Sequence, residues 1–169
     1  FRILTIGDSM TFGWGVEEEK TFVRVMEREL NLSGKLAKKV EILNFGVPGY
    51  STFQEVELLK EKGLELNPDA VIIYFVENDF GLPFFIKNFS SPDKQLVNNR
   101  KFAKLKDAAE DSEFEKDNQK LLKSLDANKQ LRRLALLCQE KNILVHLVVN
   151  PNKRFEKQLA KLWILKEEK

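Results

Sequence analysis

Ala70-Val71-Ile72-Ile73-Tyr74-Phe75 is a continuous apolar run with no polar residue at alternate positions. A strand of that composition needs cover on both faces, which is the environment of a parallel sheet sandwiched by helices. Three further apolar runs of similar length, beginning at Ile3, Val40 and Ile143, recur along the chain. Between them lie stretches with helical spacing. Phe22, Val23, Met26 and Leu30 share one face of a segment from about Glu18 to Leu30. Val56 and Leu59 point inward from a segment that Ser51 or Thr52 caps and Gly63 stops. Leu131, Leu134, Ala135 and Cys138 form a third stripe. Asn67-Pro68-Asp69 reads as the turn into the third strand, and Pro151 closes the fourth. This strand–helix–strand rhythm predicts an α/β protein, a three-layer α/β/α sandwich with a mostly parallel, flavodoxin-like sheet.

The first run ends in Gly7-Asp8-Ser9, with Gly13 and Gly15 close behind. A buried strand that stops in this way delivers a hydroxyl to a tight turn at the carboxyl end of a parallel sheet, where open α/β sheets bind ligands. Backbone N–H groups of such a turn can face developing negative charge. The second run leads into Asn44-Phe45-Gly46-Val47-Pro48-Gly49-Tyr50-Ser51-Thr52, and the third into Val76-Glu77-Asn78-Asp79.

Taken in order, these three segments resemble the signature blocks of the SGNH (GDSL) hydrolases. The resemblance implies Ser9 as a nucleophile. It also implies an oxyanion hole made by the Ser9 N–H, the Gly49 N–H and the side-chain amide of Asn78. The activity implied is hydrolysis or transfer of an acyl group at a carboxylic ester or thioester, with a small-molecule ester as partner and no cofactor or metal. Val76 stands where the family's third block has Gly, so the backbone there has less freedom. The family's fourth block, Asp-x-x-His, has no counterpart, since no Asp follows Asp126 and the single histidine is His146. The resemblance therefore places the base and its orienting acid beyond Lys169, or implies a domain without proton-transfer machinery. In the latter form it would be a non-catalytic module that binds acyl or carbohydrate groups.

Each residue also has a plain structural reading. Ser9 suits a helix N-cap and Asp8 an Asx-type turn. Gly13 and Gly15 suit a turn, Asn44 can bond its own backbone at a strand end, and Gly49 can serve only the turn after Pro48. Asp79 is expected to fix a loop or cap a helix, giving with Asp8 and Asn44 a supporting rather than a reacting set. Asn78 ends a buried strand and needs hydrogen-bond partners. His146 shares a strand face with Leu144 and Val148 and is expected to be a satisfied core or helix-facing residue.

Residues 80–126 break the rhythm. Phe80 to Phe89 is aromatic-rich and follows the third block, so it is expected to overhang the site, as half core packing or as an acyl-contacting wall. The charged stretch from Lys101 to Leu125 is expected to be partly helical and surface-lying. The chain thus reads as one domain over 1–169 with an insertion at about 80–126. A fifth strand and closing helix are not evident in Asn152–Lys169, whose helical pattern is mild. The first strand starts almost at Phe1, so residues upstream are expected to exist, and localisation is open.

Composition narrows the alternatives. A net charge of +2 with signs intermixed, and no basic tract interleaved with aromatics, argues against nucleic acid as a partner. A single cysteine, Cys138, excludes an internal disulfide framework and a cysteine-based zinc site. No apolar stretch approaches the roughly 18 to 20 residues of a transmembrane helix. A phosphoacceptor domain of the same topology lacks its strand-end acidic cluster in this sequence.

Overall fold

The computed structural model describes residues 1–76, 79, 83, 85–87, 96–98 and 125–149. Four parallel strands, β1 (Arg2–Gly7), β2 (Glu41–Gly46), β3 (Ala70–Phe75) and β6 (Leu144–Val149), form one sheet in the order β2-β1-β3-β6. Registers align Leu4 with Leu43 on one side and Val71 on the other, and Val71 with Val145. Each strand fills one side of the sheet with its even-spaced partners. Leu4, Ile6, Val71, Ile73 and Phe75 pack beneath helices α3 (Thr52–Leu58) and α4 (Ala127–Glu140), against Val56, Leu59, Leu131, Leu134 and Cys138. On the opposite side Ile3, Ile42 and Ala70 pack with Val40 and with Val23 of α2 (Phe22–Leu32). These are the three layers expected from the rhythm of the sequence.

Several boundaries moved, each for a local reason. Helix α2 begins at Phe22 rather than Glu18, because Thr21 caps it by accepting the Arg24 N–H, while Glu18–Lys20 form a separate 3-10 turn. Gly63 does not stop the third helix. The chain continues through a π-turn at Leu59–Gly63 and a 3-10 turn at Leu64–Leu66, and ends at Asn67 with φ of 50°. Gly63 itself has helical dihedrals and is there for space, since a Cβ would stand 2.8 Å from methyls of Leu4 and Leu59. Within residues 80–126, the described part includes an antiparallel pair of short strands, β4 (Phe85–Lys87) with β5 (Leu96–Asn98), ahead of the stretch expected to be partly helical. The helical reading of Lys101 onward lies outside the described residues up to Leu125, and so does the segment Asn152–Lys169. Phe80 and most of the aromatic stretch around it also lie outside.

His146 departs from expectation most clearly. It is exposed, as are Leu144 and Val148 on the same face of β6. Helix α2 covers that face over β1 and β2 and does not extend its packing to the last strand of the order. The core-histidine reading fails for this reason.

The carboxyl end of the sheet carries a four-residue helix, α1 (Ser9–Phe12), set directly on the strands. A Cβ on Gly7 would lie 2.1 Å from Thr11 Oγ1, and one on Gly46 would lie 2.2 Å from the Phe12 nitrogen. The second contact is with backbone, which cannot rotate away. Gly46→Ala is therefore expected to destabilise the protein by about 1–3 kcal/mol as an overpacking change, measured by urea unfolding. Phe75→Ala, which empties a fully buried site between β3 and the helices, is expected to cost about 3–5 kcal/mol in the same assay.

Candidate active site

Strand order decides where a site can form. β1 lies between β2 and β3, and the crossovers leave it in opposite directions, so the carboxyl ends of β1 and β3 flank the point where the winding reverses. Gly7 is in register with both Gly46 and Tyr74, which levels the three strand ends. Three of the residue groups singled out by sequence follow these ends.

Asp8, not Ser9, supplies the cap. Its Oδ1 accepts the Met10 N–H at 2.8 Å, and its carbonyl accepts the Phe12 N–H at 3.0 Å. The Asx reading of Asp8 holds. The hydroxyl of Ser9 is consequently released from capping and makes no hydrogen bond among the described residues, and the side chain is half-buried. The Ser9 carbonyl accepts from both Gly13 and Trp14, and Gly13 closes the helix in the left-handed region with φ of 86°.

Asn44 is structural. Its Oδ1 accepts the Gly46 N–H at 2.9 Å, and its Nδ2 donates to the Thr11 carbonyl at 2.9 Å, tying the end of β2 to the helix that begins at Ser9. Beyond β2, the Tyr50 N–H returns to the Val47 carbonyl at 3.1 Å. Pro48 and Gly49 occupy the corners of that turn, and Gly49 has φ of 80°, the type II arrangement that requires glycine at the third position. Gly49 is exposed, and its N–H makes no hydrogen bond among the described residues.

Asn78 lies outside the described residues. Its neighbour Asp79 is buried, with Oδ2 accepting the Val76 N–H at 2.6 Å, while the Asp79 N–H donates to the Val76 carbonyl at 3.1 Å. The Thr52 hydroxyl on α3 donates to the Asp79 carbonyl at 3.4 Å. These bonds tie Asp79 to Val76 at the end of β3 and to Thr52 on α3. His146 is separated from β1 by β3 and belongs to none of these contacts.

Glu55 escaped the sequence reading. It sits on α3 one turn after Ser51, fully buried, with its carboxyl beside Asp79 and near Asp8. Burial first, and then the charges of Asp79 and Asp8, push its pKa well above the ordinary carboxylate range. Burial raises Asp79 as well, to about 7, against the opposing pull of the Val76 N–H. A signal was available in the sequence: Thr52, Glu55, Val56 and Leu59 fall on one helical stripe, so an acid stands where an apolar residue belongs.

Around Ser9 the surface is apolar. Met10, Phe12, Trp14 and Val16 are all exposed, Trp14 to 72%, and the Phe12 and Trp14 rings lie 6.3 Å apart. Among the described residues, no three Asp, Glu, His or Cys side chains gather as a metal site would need, and no helix is long and apolar enough to cross a membrane. A polar depression lined by Arg2, Arg24, Glu27 and Asp69 lies at the amino ends of the strands, away from Ser9.

Comparison with known proteins bears on the fold and the family. The chain is similar in structure to TesA, at 15% identity and a TM-score of 0.61 over 98% of this chain and 72% of that one. It is similar to AlinE4, an SGNH-hydrolase family esterase, at 17% identity and 0.57, covering 99% and 70%. The psychrotrophic esterase EstA from Pseudoalteromonas sp. matches at 15% and 0.55, covering 99% and 72%. These likenesses establish the fold. No curated protein matches the sequence. Residues 5–158 match the model of the GDSL-like lipase/acylhydrolase family, and the chain belongs to that family of ester hydrolases.

Proposed function

We propose that this chain is the core of a serine ester hydrolase that works through an acyl-enzyme, with Ser9 as the nucleophile. The observation that carries the reading is the division of labour at the end of β1: Asp8 takes the cap, and the Ser9 hydroxyl has no hydrogen-bond partner among the described residues at the point where the sheet reverses its winding. Attack of the hydroxyl on an ester carbonyl would create an oxyanion. The Ser9 and Gly49 N–H groups, both without partners among the described residues, are assigned to hold it, with the Asn78 amide as the third donor. Each such donor contributes about 3–4 kcal/mol to transition-state stabilisation. No described residue is assigned as the base. The same reading takes 1–169 as one domain with an insertion at about 80–126.

The substrate proposed is a small ester or thioester with an apolar acyl group. Support comes from the exposed Met10, Phe12, Trp14 and Val16 in the turns just after Ser9, an apolar surface beside a polar centre. A binding module without turnover is the competing reading.

A fluorophosphonate probe applied to the full protein separates the two. Labelling at Ser9, abolished in Ser9→Ala, is the expected result; an unlabelled wild type would favour the binding module. In an ester panel of graded chain length, Trp14→Ala is expected to raise KM for long acyl esters about tenfold, equivalent to about 1.4 kcal/mol of lost apolar contact, and to leave acetyl esters unchanged.

A further inference from the structure

Glu55 has no place in the serine chemistry, yet its surroundings are specific. Both of its carboxyl oxygens, and Oδ1 of Asp79, meet no N–H or O–H donor among the described residues. The side chain is fully buried, and a buried polar group left unpaired is destabilising. The groups facing it are Asp79 from the end of β3 and Asp8 from the end of β1, both acidic. From α4, across α3, Arg133 pairs with Glu57 on the outer side and Gln130 is uncharged. Among the described residues no donor reaches either Glu55 oxygen or Asp79 Oδ1. Two carboxylates in hydrogen-bonding reach have nothing to exchange when both are ionised. One proton between them changes that: a neutral Glu55 donates to Asp79 Oδ1, and Asp79 keeps Oδ2 for the Val76 N–H.

We propose that Glu55 is a positioning residue that shares a proton with Asp79 and through it ties Val76 and Asp79, the two described ends of segment 76–79, to α3. The chain of contacts is short: Glu55 to Asp79, Asp79 to the backbone of Val76, and Thr52 to the Asp79 carbonyl. Asn78 belongs to that segment by sequence. The inference extends the esterase reading, because the segment matters to catalysis only if Asn78 serves the oxyanion.

The charge state sets a direction. A carboxyl held neutral in the folded protein and ionised in the unfolded chain stabilises fully at low pH, and this contribution is lost as pH rises from the ordinary carboxylate range through about 7 and above. Gln at position 55 keeps a donor and cannot ionise, so Glu55→Gln should remove this slope. Glu55→Ala removes the donor.

Three measurements on the full protein test this. In urea unfolding, wild type should weaken relative to Glu55→Gln as pH rises from about 5 to about 8; parallel curves would overturn the shared proton. Hydrogen exchange at the Val76 amide should quicken about tenfold or more in Glu55→Ala and stay within about threefold of wild type in Glu55→Gln; unchanged exchange in Glu55→Ala would overturn the positioning role. For hydrolysis of p-nitrophenyl butyrate, Glu55→Ala should lower kcat about tenfold with KM nearly constant, and Glu55→Gln should restore it; wild-type kcat in Glu55→Ala would overturn the link to catalysis. Should Glu55→Ala fail to fold, Glu55→Gln against wild type decides alone through the pH slope. A wild type that turns over no ester and takes no fluorophosphonate would sink the esterase reading, while the unfolding and exchange results would still judge the Glu55–Asp79 pair.

Discussion

Helix α1 can sit on the strand ends only because two positions there lack side chains. Gly7 admits Thr11, and Gly46 admits the backbone of Phe12, at separations that no Cβ would permit. Asn44 then locks the contact by bonding the Gly46 N–H on one side and the Thr11 carbonyl on the other. This close approach fixes the height of Ser9 above the sheet, and everything assigned to that residue depends on it. Sequence motifs name the serine, but the two glycines and the asparagine are what turn a name into a position.

Polar burial at the same end of the sheet is managed by pairing within short range. Asp8 caps α1, Asp79 bonds Val76, and Thr52 bonds Asp79. Glu55 and Asp79 nonetheless lie side by side with Asp8 nearby, and burial raises both Glu55 and Asp79. Such an arrangement is unfavourable for full ionisation, yet Glu55 is fully buried. Its cost is consistent with a role at the site, since packing alone would be better served by Leu at position 55.

The fold was legible in the sequence wherever period and composition agreed. The unbroken run Ala70–Phe75 gave a doubly covered strand, and the Gly-Asp-Ser turn gave its site-bearing neighbour. What escaped was context. Gly63 looks like a helix stop, but tertiary contact with Leu4 makes it a packing glycine, and the stop falls at Asn67. His146 alternates with Leu144 and Val148 as a core strand would, yet strand order leaves that face uncovered. Glu55 went unread although it falls on the apolar stripe of its helix, because that stripe does not say that the acids after β1 and β3 meet it. Asn78 was found only by family resemblance, and its role stands on that resemblance.

The interior placement of β1 has a consequence for how such a domain can diversify. Its register with β3, and that of β3 with β6, persists although 68 residues separate Phe75 from Leu144 in the chain. Chain can therefore be added or remodelled after β3 without disturbing the strand that presents the hydroxyl. The interposed segment can lengthen or vary on its own, while the scaffold under the first strand tolerates almost no change at two glycines.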